Sequence, residues 1–341
     1  MEPTALQLIW FLLFGVLIIG YAILDGFDLG VGVLSLFGKK GREKRLYLNA
    51  IGPVWDGNEV WLLTGGGALF AAFPVVYATV FSAFYLALIL LLIALIFRAV
   101  SIEFRSKVAH PGWQRFWDWG FGLGSLVAAT LFGVAVGNIL RGLPLDATGR
   151  FTGSFLGLLH PYALLMGVLS LVMFTCHGAL YMAQKSEGEL RTRMLRCASS
   201  TWIGWVLLYA VATVLTSFVS PWLLQGARHN PIAWALLVLL LAALLYLPTT
   251  FRAGRAARGF LVSSVAIAAQ IGLVGASLFP RLVPSRTHPD YSLTIVNASS
   301  TPRTLTTMLI IALIGMPFVL LYTAGVYYFF RGKTVVEPHG Y

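Results

Sequence analysis

Nine apolar runs of about 20 residues follow one another through this chain, and they leave it little choice of fold. A bilayer core about 30 Å thick takes about 20 helical residues to cross. Within lipid each backbone amide must find its partner inside its own segment, so the runs read as helices. They lie at about 6–27, 57–74, 75–97, 119–139, 161–183, 199–219, 231–248, 259–279 and 305–330. The first continues through Asp25-Gly-Phe-Asp-Leu-Gly-Val-Gly32 to Phe37, too long for one straight span, so it must tilt, project from the membrane or break. Composition agrees: 58% of the residues are apolar and 11% charged, with a mean hydropathy of +0.82, whereas a soluble domain carries roughly 25% charge. An ordinary soluble enzyme is excluded. The expectation is an all-α polytopic membrane protein of nine transmembrane helices, one transmembrane domain over residues 1–341 without linker or soluble domain.

The net charge of +11 comes from 24 Lys and Arg against 13 Asp and Glu. The basic residues sit in short clusters between apolar runs, which writes membrane topology and argues against a nucleic-acid partner. Counted in alternate loops, 18 fall on one side, in 39–45, 98–115, 185–196, 252–258 and 331–333, and 6 on the other. The amino terminus is therefore expected outside and the carboxyl terminus in the cytoplasm. Glu2 is the sole charge before the first run and no small-residue cleavage site precedes the acidic segment, so that run is expected to be a retained helix. Cys176 and Cys197 are too few for a disulfide framework or a thiolate metal site and read as packing residues. Glycine-rich stretches at Gly65-Gly-Gly67 and Gly120-Phe-Gly-Leu-Gly124 favour close helix approach.

Four acids, Asp25, Asp28, Asp56 and Glu59, lie within or beside the first two runs. An acid at mid-membrane costs about 2.5–3.5 kcal/mol on insertion scales, so such groups call for a function or a partner. Asp25 and Asp28 are three apart, as are Asp56 and Glu59, which gives each pair one helix face. The first helix runs inward and the second outward, so all four converge toward the cytoplasmic end. Two readings stay open: proton handling, and structural pairing with the basic loop at 39–45 or with Arg98. Trp55 and Trp61 flank the second pair, where they could shield it, meet a flat ligand or anchor at the interface. His160 and His177 are the histidines that fall in or at the edge of a run. On one helix, 17 residues apart, they stand about 26 Å from each other and cannot share an iron. Met166, Met173, Met308 and Met316 leave a His/Met pair possible in principle, but helical methionines generally pack.

Several motifs together resemble subunit II of the cytochrome bd type of quinol oxidase, including its cyanide-insensitive branch. They are Asp25-Gly-Phe-Asp-Leu-Gly-Val-Gly32, Gly52-Pro-Val-Trp-Asp-Gly-Asn-Glu-Val-Trp-Leu62 running into Gly65-Gly-Gly-Ala-Leu-Phe-Ala-Ala-Phe-Pro74, Phe104-Arg-Ser-Lys107 and Trp117-Asp-Trp-Gly120. Weaker echoes occur at Asn297-Ala-Ser-Ser300 and Leu321-Tyr-Thr-Ala324. The resemblance implies two four-helix bundles plus a peripheral ninth helix, in a bacterial cytoplasmic membrane. It implies a homologous partner, subunit I, that carries haem b and haem d and oxidises quinol, while this chain ligates no haem or other metal. It also implies that Asp28 and Asp56, with Trp55 beside the latter, carry protons toward the oxygen-reducing site and stabilise haem assembly. Asp25 and Glu59 join them on spacing alone, with Asn58 and Trp61 as supporting residues. Some members hold a structural quinone, and a small single-helix subunit is a possible further partner. A different class, the ion-coupled secondary transporter, would also use intramembrane acids and a glycine-interrupted first helix. It lacks a matching interrupted helix in the fifth or sixth run. A purely structural scaffold is the third reading.

Overall fold

In a computed structural model, residues 2–39 and 41–334 are described. Lys40, counted in the topology argument, and the tail beyond Thr334 lie outside the described residues. Helices dominate: α1 (Ala5–Ser35), α2 (Arg42–Ile51), α3 (Trp55–Ala72), α4 (Pro74–Ala83), α5 (Tyr85–Phe104), α6 (Pro111–Arg141), α7 (Phe155–Leu158), α8 (Pro161–Lys185), α9 (Gly188–Val219), α10 (Pro221–Arg228), α11 (Pro231–Arg252), α12 (Ala256–Leu278) and α13 (Pro302–Phe329). Among the described residues eight of these, α1, α5, α6, α8, α9, α11, α12 and α13, are long and apolar enough to cross a membrane. The chain is thus an all-α polytopic membrane protein.

Local chemistry sets the helix starts. Six helices open on proline, whose missing N–H falls where no intrahelical acceptor exists. α1 instead opens with a capping box, in which Gln7 N–H donates to Thr4 Oγ1 and Thr4 N–H to Gln7 Oε1. At 31 residues α1 is unbroken and about 46 Å long, so it tilts or projects. The run expected at 75–97 is two pieces, α4 and α5, offset at Phe84. The ladder carries on through the offset, from Phe84 N to Val80 O and from Leu88 N to Phe84 O, so the four-residue bonding is kept on both sides of a buried aromatic.

The second half of α1 is the centre of the molecule. From Asp25 to Ser35 every residue is buried, enclosed by neighbours that include α3, α6, α8 and α12. Glycine permits this. A Cβ on Gly30 would sit 1.9 Å from the Phe174 carbonyl oxygen of α8, and one on Gly178 would sit 2.6 Å from the Gly30–Val31 peptide. Gly124 plays the same part between α6 and α5, its Cβ position lying 2.5 Å from Ala94 O. The triplet at 65–67 does not: Gly66 and Gly67 face open space on this chain.

The two ends differ in character. At one end the basic segments gather: Lys39 pairs with Glu189 at 2.7 Å, Arg105 with Asp118 at 2.6 Å and Arg193 with Glu43. There Lys44 Nζ meets Ser35 O and Arg191 donates to Gly254 O. The opposite end is closed by a short antiparallel pair, β1 (Arg281–Val283) and β2 (Leu293–Thr294), beside the loop at 143–151. Ser300 N–H bonds Ala72 O there, at the far end of α3. α13 lies almost wholly exposed, with Leu305 its buried residue. It is fastened near its ends, by Trp10 Nε1 donating to Leu305 O at 3.0 Å and by Lys185 Nζ against the carbonyls of Phe330 and Gly332.

Candidate functional site

Where α1, α3, α5 and α13 meet, six polar side chains gather. Tyr21, Asp25 and Asp28 are four and three residues apart and share one face of α1. Asp25 and Asp28 are fully buried, and so is Arg98 of α5 at 1% exposure. Arg98 grips Asp25 with two nitrogens, Nη2 to Oδ1 at 2.5 Å and Nη1 to Oδ2 at 3.2 Å, the fork geometry that makes arginine–carboxylate pairs strong. Its Nη2 also stands 3.8 Å from Asp28 Oδ2. From α3, Asn58 Nδ2 donates to Asp28 Oδ2 at 2.8 Å and to Leu24 O at 3.1 Å. Tyr327 of α13 donates its hydroxyl to Asn58 Oδ1 at 2.9 Å. With the oxygen accepting and the nitrogen donating, the amide has one orientation.

Charge and hydrogen bonding are both incomplete inside this cluster. Two carboxylates face one guanidinium, and Asp28 Oδ1, Arg98 Nε and the nearby Trp61 Nε1 are buried with no protein partner. Buried polar atoms are nearly always satisfied, so three unpaired ones in one neighbourhood set this cluster apart from the rest of the helical core. Glu59 is half-buried, within electrostatic range of Arg98, Asp25 and Asp56. It lines an apolar cavity of about 2130 Å³ walled mainly by α1, α3, α5 and α6.

The sequence-derived site residues therefore separate. Asp25, Asp28 and Asn58 come together, with Arg98 as the partner that the pairing reading named. Asp56 stands in the first turn of α3 and is exposed on this chain, outside the sealed cluster. Trp55 is half-buried against the core. Trp61 is buried over Gly20 of α1, where a Cβ would lie 2.3 Å from its ring, so it packs between helices and does not anchor at an interface. Tyr327 was not legible in the sequence, because nothing local distinguishes it from the other tyrosines of α13.

The histidines serve structure. His177 Nε2 donates to Ile23 O at 3.1 Å, Nδ1 meets Ser263 Oγ at 2.6 Å, and the ring stacks on Phe260 at 4.5 Å. Both nitrogens being engaged, the residue does not fit a haem ligand. His160 caps α8, its Nδ1 accepting from Tyr162 N–H at 3.2 Å. Cys176 is buried with its thiol toward Ala198 O of α9 at 3.4 Å, the packing role expected of it. Among the described residues no group of three His, Cys, Asp or Glu stands in metal-binding array. Outside the spans, Asp146 Oδ1 accepts from Thr148 N–H and Oγ1–H and from Arg150 N–H. These bonds hold its carboxyl below the usual range, while burial pushes the Tyr47 hydroxyl of α2 up to about 12.

Crossing-length apolar helices packed around a sealed, charged cluster define a polytopic membrane protein with a polar centre in its helical core. The sequence profile of the cytochrome bd terminal oxidase subunit II family matches residues 6–330. The chain belongs to that family and is a multi-pass subunit of a respiratory oxidase. It is 40% identical to cytochrome bd-I ubiquinol oxidase subunit 2 of Escherichia coli K12, covering 98% of this chain and 97% of that one. It is 36% identical to cytochrome bd ubiquinol oxidase subunit 2 of Bacillus subtilis, covering 97% of each. Its fold matches a chain of the bd oxidase structure from Geobacillus thermodenitrificans with a TM-score of 0.76 at 17% identity, over 96% of this chain and 98% of that one.

Proposed function

We propose that this chain is the haem-free subunit of a quinol-oxidising, oxygen-reducing complex in a bacterial cytoplasmic membrane. It supports the haem-bearing subunit I and brings protons to the oxygen-reducing site from the cytoplasm. The relatives are named ubiquinol oxidase subunits, which supplies the substrate class. Reduction of one oxygen molecule to two waters consumes four electrons, drawn from two quinols, and four protons, so the complex needs a proton route. The haems b and d that carry the electrons belong to subunit I.

The observation that carries the proton reading is the sealed pairing of Asp25 and Asp28 with a single Arg98. Two carboxylates against one guanidinium leave the cluster one negative charge in excess, and a single bound proton balances it, so the cluster can hold one proton. Asp56 is the exposed entrance and Glu59 the half-buried group between it and the cluster. Asn58, oriented by Tyr327, holds Asp28 in place. The ninth crossing is α3: Asn58 near its start reaches the acid cluster, and Ala72 at its finish meets the opposite end. With α3 counted, α1, α3, α4–α5 and α6 form one bundle and α8, α9, α11 and α12 the other, α13 being peripheral. The amino terminus is outside and the basic end cytoplasmic. The apolar cavity beside Glu59 suits a structural quinone, and exposed α13 suits a small single-helix subunit.

The test is Asp56→Asn in the intact complex, which keeps shape and removes the titratable proton. Quinol-dependent oxygen consumption is expected to fall at least about tenfold with haem content unchanged, as for loss of a positioned proton-transfer group. Unchanged turnover across pH with full haem sinks the proton route. A complex that purifies without any haem-bearing partner sinks the oxidase reading.

A further inference from the structure

At the basic end of the second bundle a separate cavity of about 470 Å³ opens between helix termini, far in sequence from the acid cluster. Its walls are the last turn of α8 (Ala183, Gln184), Arg191 of α9, the α11–α12 turn (Gly254, Arg255), the first residues of α12 and Lys333 after α13. Arg191, Arg255, Arg258 and Lys333 put four cations around it, and among the described residues no acid lines it. The nearest acids in sequence, Glu187 and Glu189 at the start of α9, lie outside the lining, and Glu189 is engaged by Lys39.

Two of these cations are held in place by neutral acceptors. Arg191 Nη2 donates to Gly254 O at 2.7 Å, and Lys333 Nζ donates to Gln184 O at 2.8 Å and Ser186 O at 3.0 Å. Their positions are thereby fixed while their charges stay uncompensated. Arg191 Nε is buried without a partner. Arg255 and Arg258 are exposed and make no ion pair among the described residues. α12 begins here without a side-chain cap, so the partial positive charge of its first amides adds to the field. The volume lies within the range of small-ligand sites.

We infer that this cavity binds the phosphate of an anionic phospholipid headgroup, with Arg191 and Lys333 as fixed donors and Arg255 and Arg258 closing over it. The helix beneath indicates a lipid. Leu261 and Val265 follow Arg258 at three and seven residues, on the same face of α12, and are 63% and 41% exposed. A cation above a bare apolar stripe offers a headgroup and its acyl chain one continuous surface. Free inorganic phosphate has the same headgroup chemistry but no use for the stripe.

The experiment compares the detergent-purified complex with its Arg255→Gln/Arg258→Gln variant by native mass spectrometry, titrating phosphatidylglycerol, phosphatidylcholine and inorganic phosphate in turn. Both arginines are exposed and outside the proton machinery, so haem spectra and oxidase turnover are expected unchanged in the variant, which certifies its fold. The wild type is expected to retain a phosphatidylglycerol that the variant binds about tenfold more weakly, a loss of one good charge-assisted contact. Phosphatidylcholine is expected to bind neither form tightly. Inorganic phosphate binding to the wild type in preference to the lipid overturns the lipid assignment and leaves a phosphate site. Equal lipid binding by the two forms, or equal affinity for the two lipids, overturns the inference entirely.

Discussion

A single side chain, Arg98, decides whether the polar centre of this chain is tolerable. It is the counter-ion of Asp25 and stands near Asp28, with all three buried. Removing one partner of a buried pair leaves a naked charge and costs roughly 3–5 kcal/mol. Arg98→Met is therefore expected to lower the thermal midpoint of the complex sharply or abolish its assembly. Arg98→Lys keeps the charge but loses the fork and is expected to fall between, as thermal melts of the purified complex would show. Equal melting of all three would remove Arg98 from the cluster. The Asp25–Asp28 pair was legible because charge is scarce in apolar runs and three-residue spacing fixes a face. Asp56 lies beside an apolar run in the sequence, yet it is exposed, since it sits on the outer face of a first turn whose Asn58 is buried. Tyr327 joins Asn58 across 269 residues, and no local pattern in the sequence marks such a contact.

At the level of single helices and loops, backbone contact between α1 and α8 sets the central packing. Gly30→Ala drives a methyl against the Phe174 carbonyl, which neither backbone can yield easily, whereas Gly66→Ala enters open space on this chain. The first is expected to cost the complex several degrees of thermal stability or its assembly, the second to leave the fold of this chain intact, both read from yield and melting of the complex. The loop at 146–150 offers a pH test. Because its hydrogen bonds hold Asp146 below the ordinary aspartate value of 3.8, the ionised form favours the folded loop. That contribution is present above about 3.8 and is lost as pH falls through the lowered value. Hydrogen exchange at the Thr148 and Arg150 amides, corrected for its intrinsic pH dependence, should therefore accelerate at acid pH, and flat protection would contradict it. Apolar length made most crossings plain in the sequence. It did not reveal α2, the β1–β2 pair or the offset at Phe84, which arise from tertiary packing and loop hydrogen bonds and carry no hydrophobic period of their own.

For the molecule as a whole, the 18 to 6 division of basic residues anticipates what the fold assembles, several of the basic segments drawn to one end. Single cysteines placed at Lys39 and Arg331 in intact cells are expected to resist impermeant labels, and one at Arg150 to react. Labelling of either of the first two would overturn the orientation. There is also a matter of timing in how α13 is fastened. The ribosome makes this helix after every other part of the polar centre, and its Tyr327 completes the hold on Asn58 and so on Asp28. Until residue 327 has been synthesised and docked, the polar centre lacks the bond that orients its amide. The finished centre thus certifies that the chain has been made and inserted as far as Tyr327, and a product cut short before Pro302 would carry every acid of the cluster but not its lock.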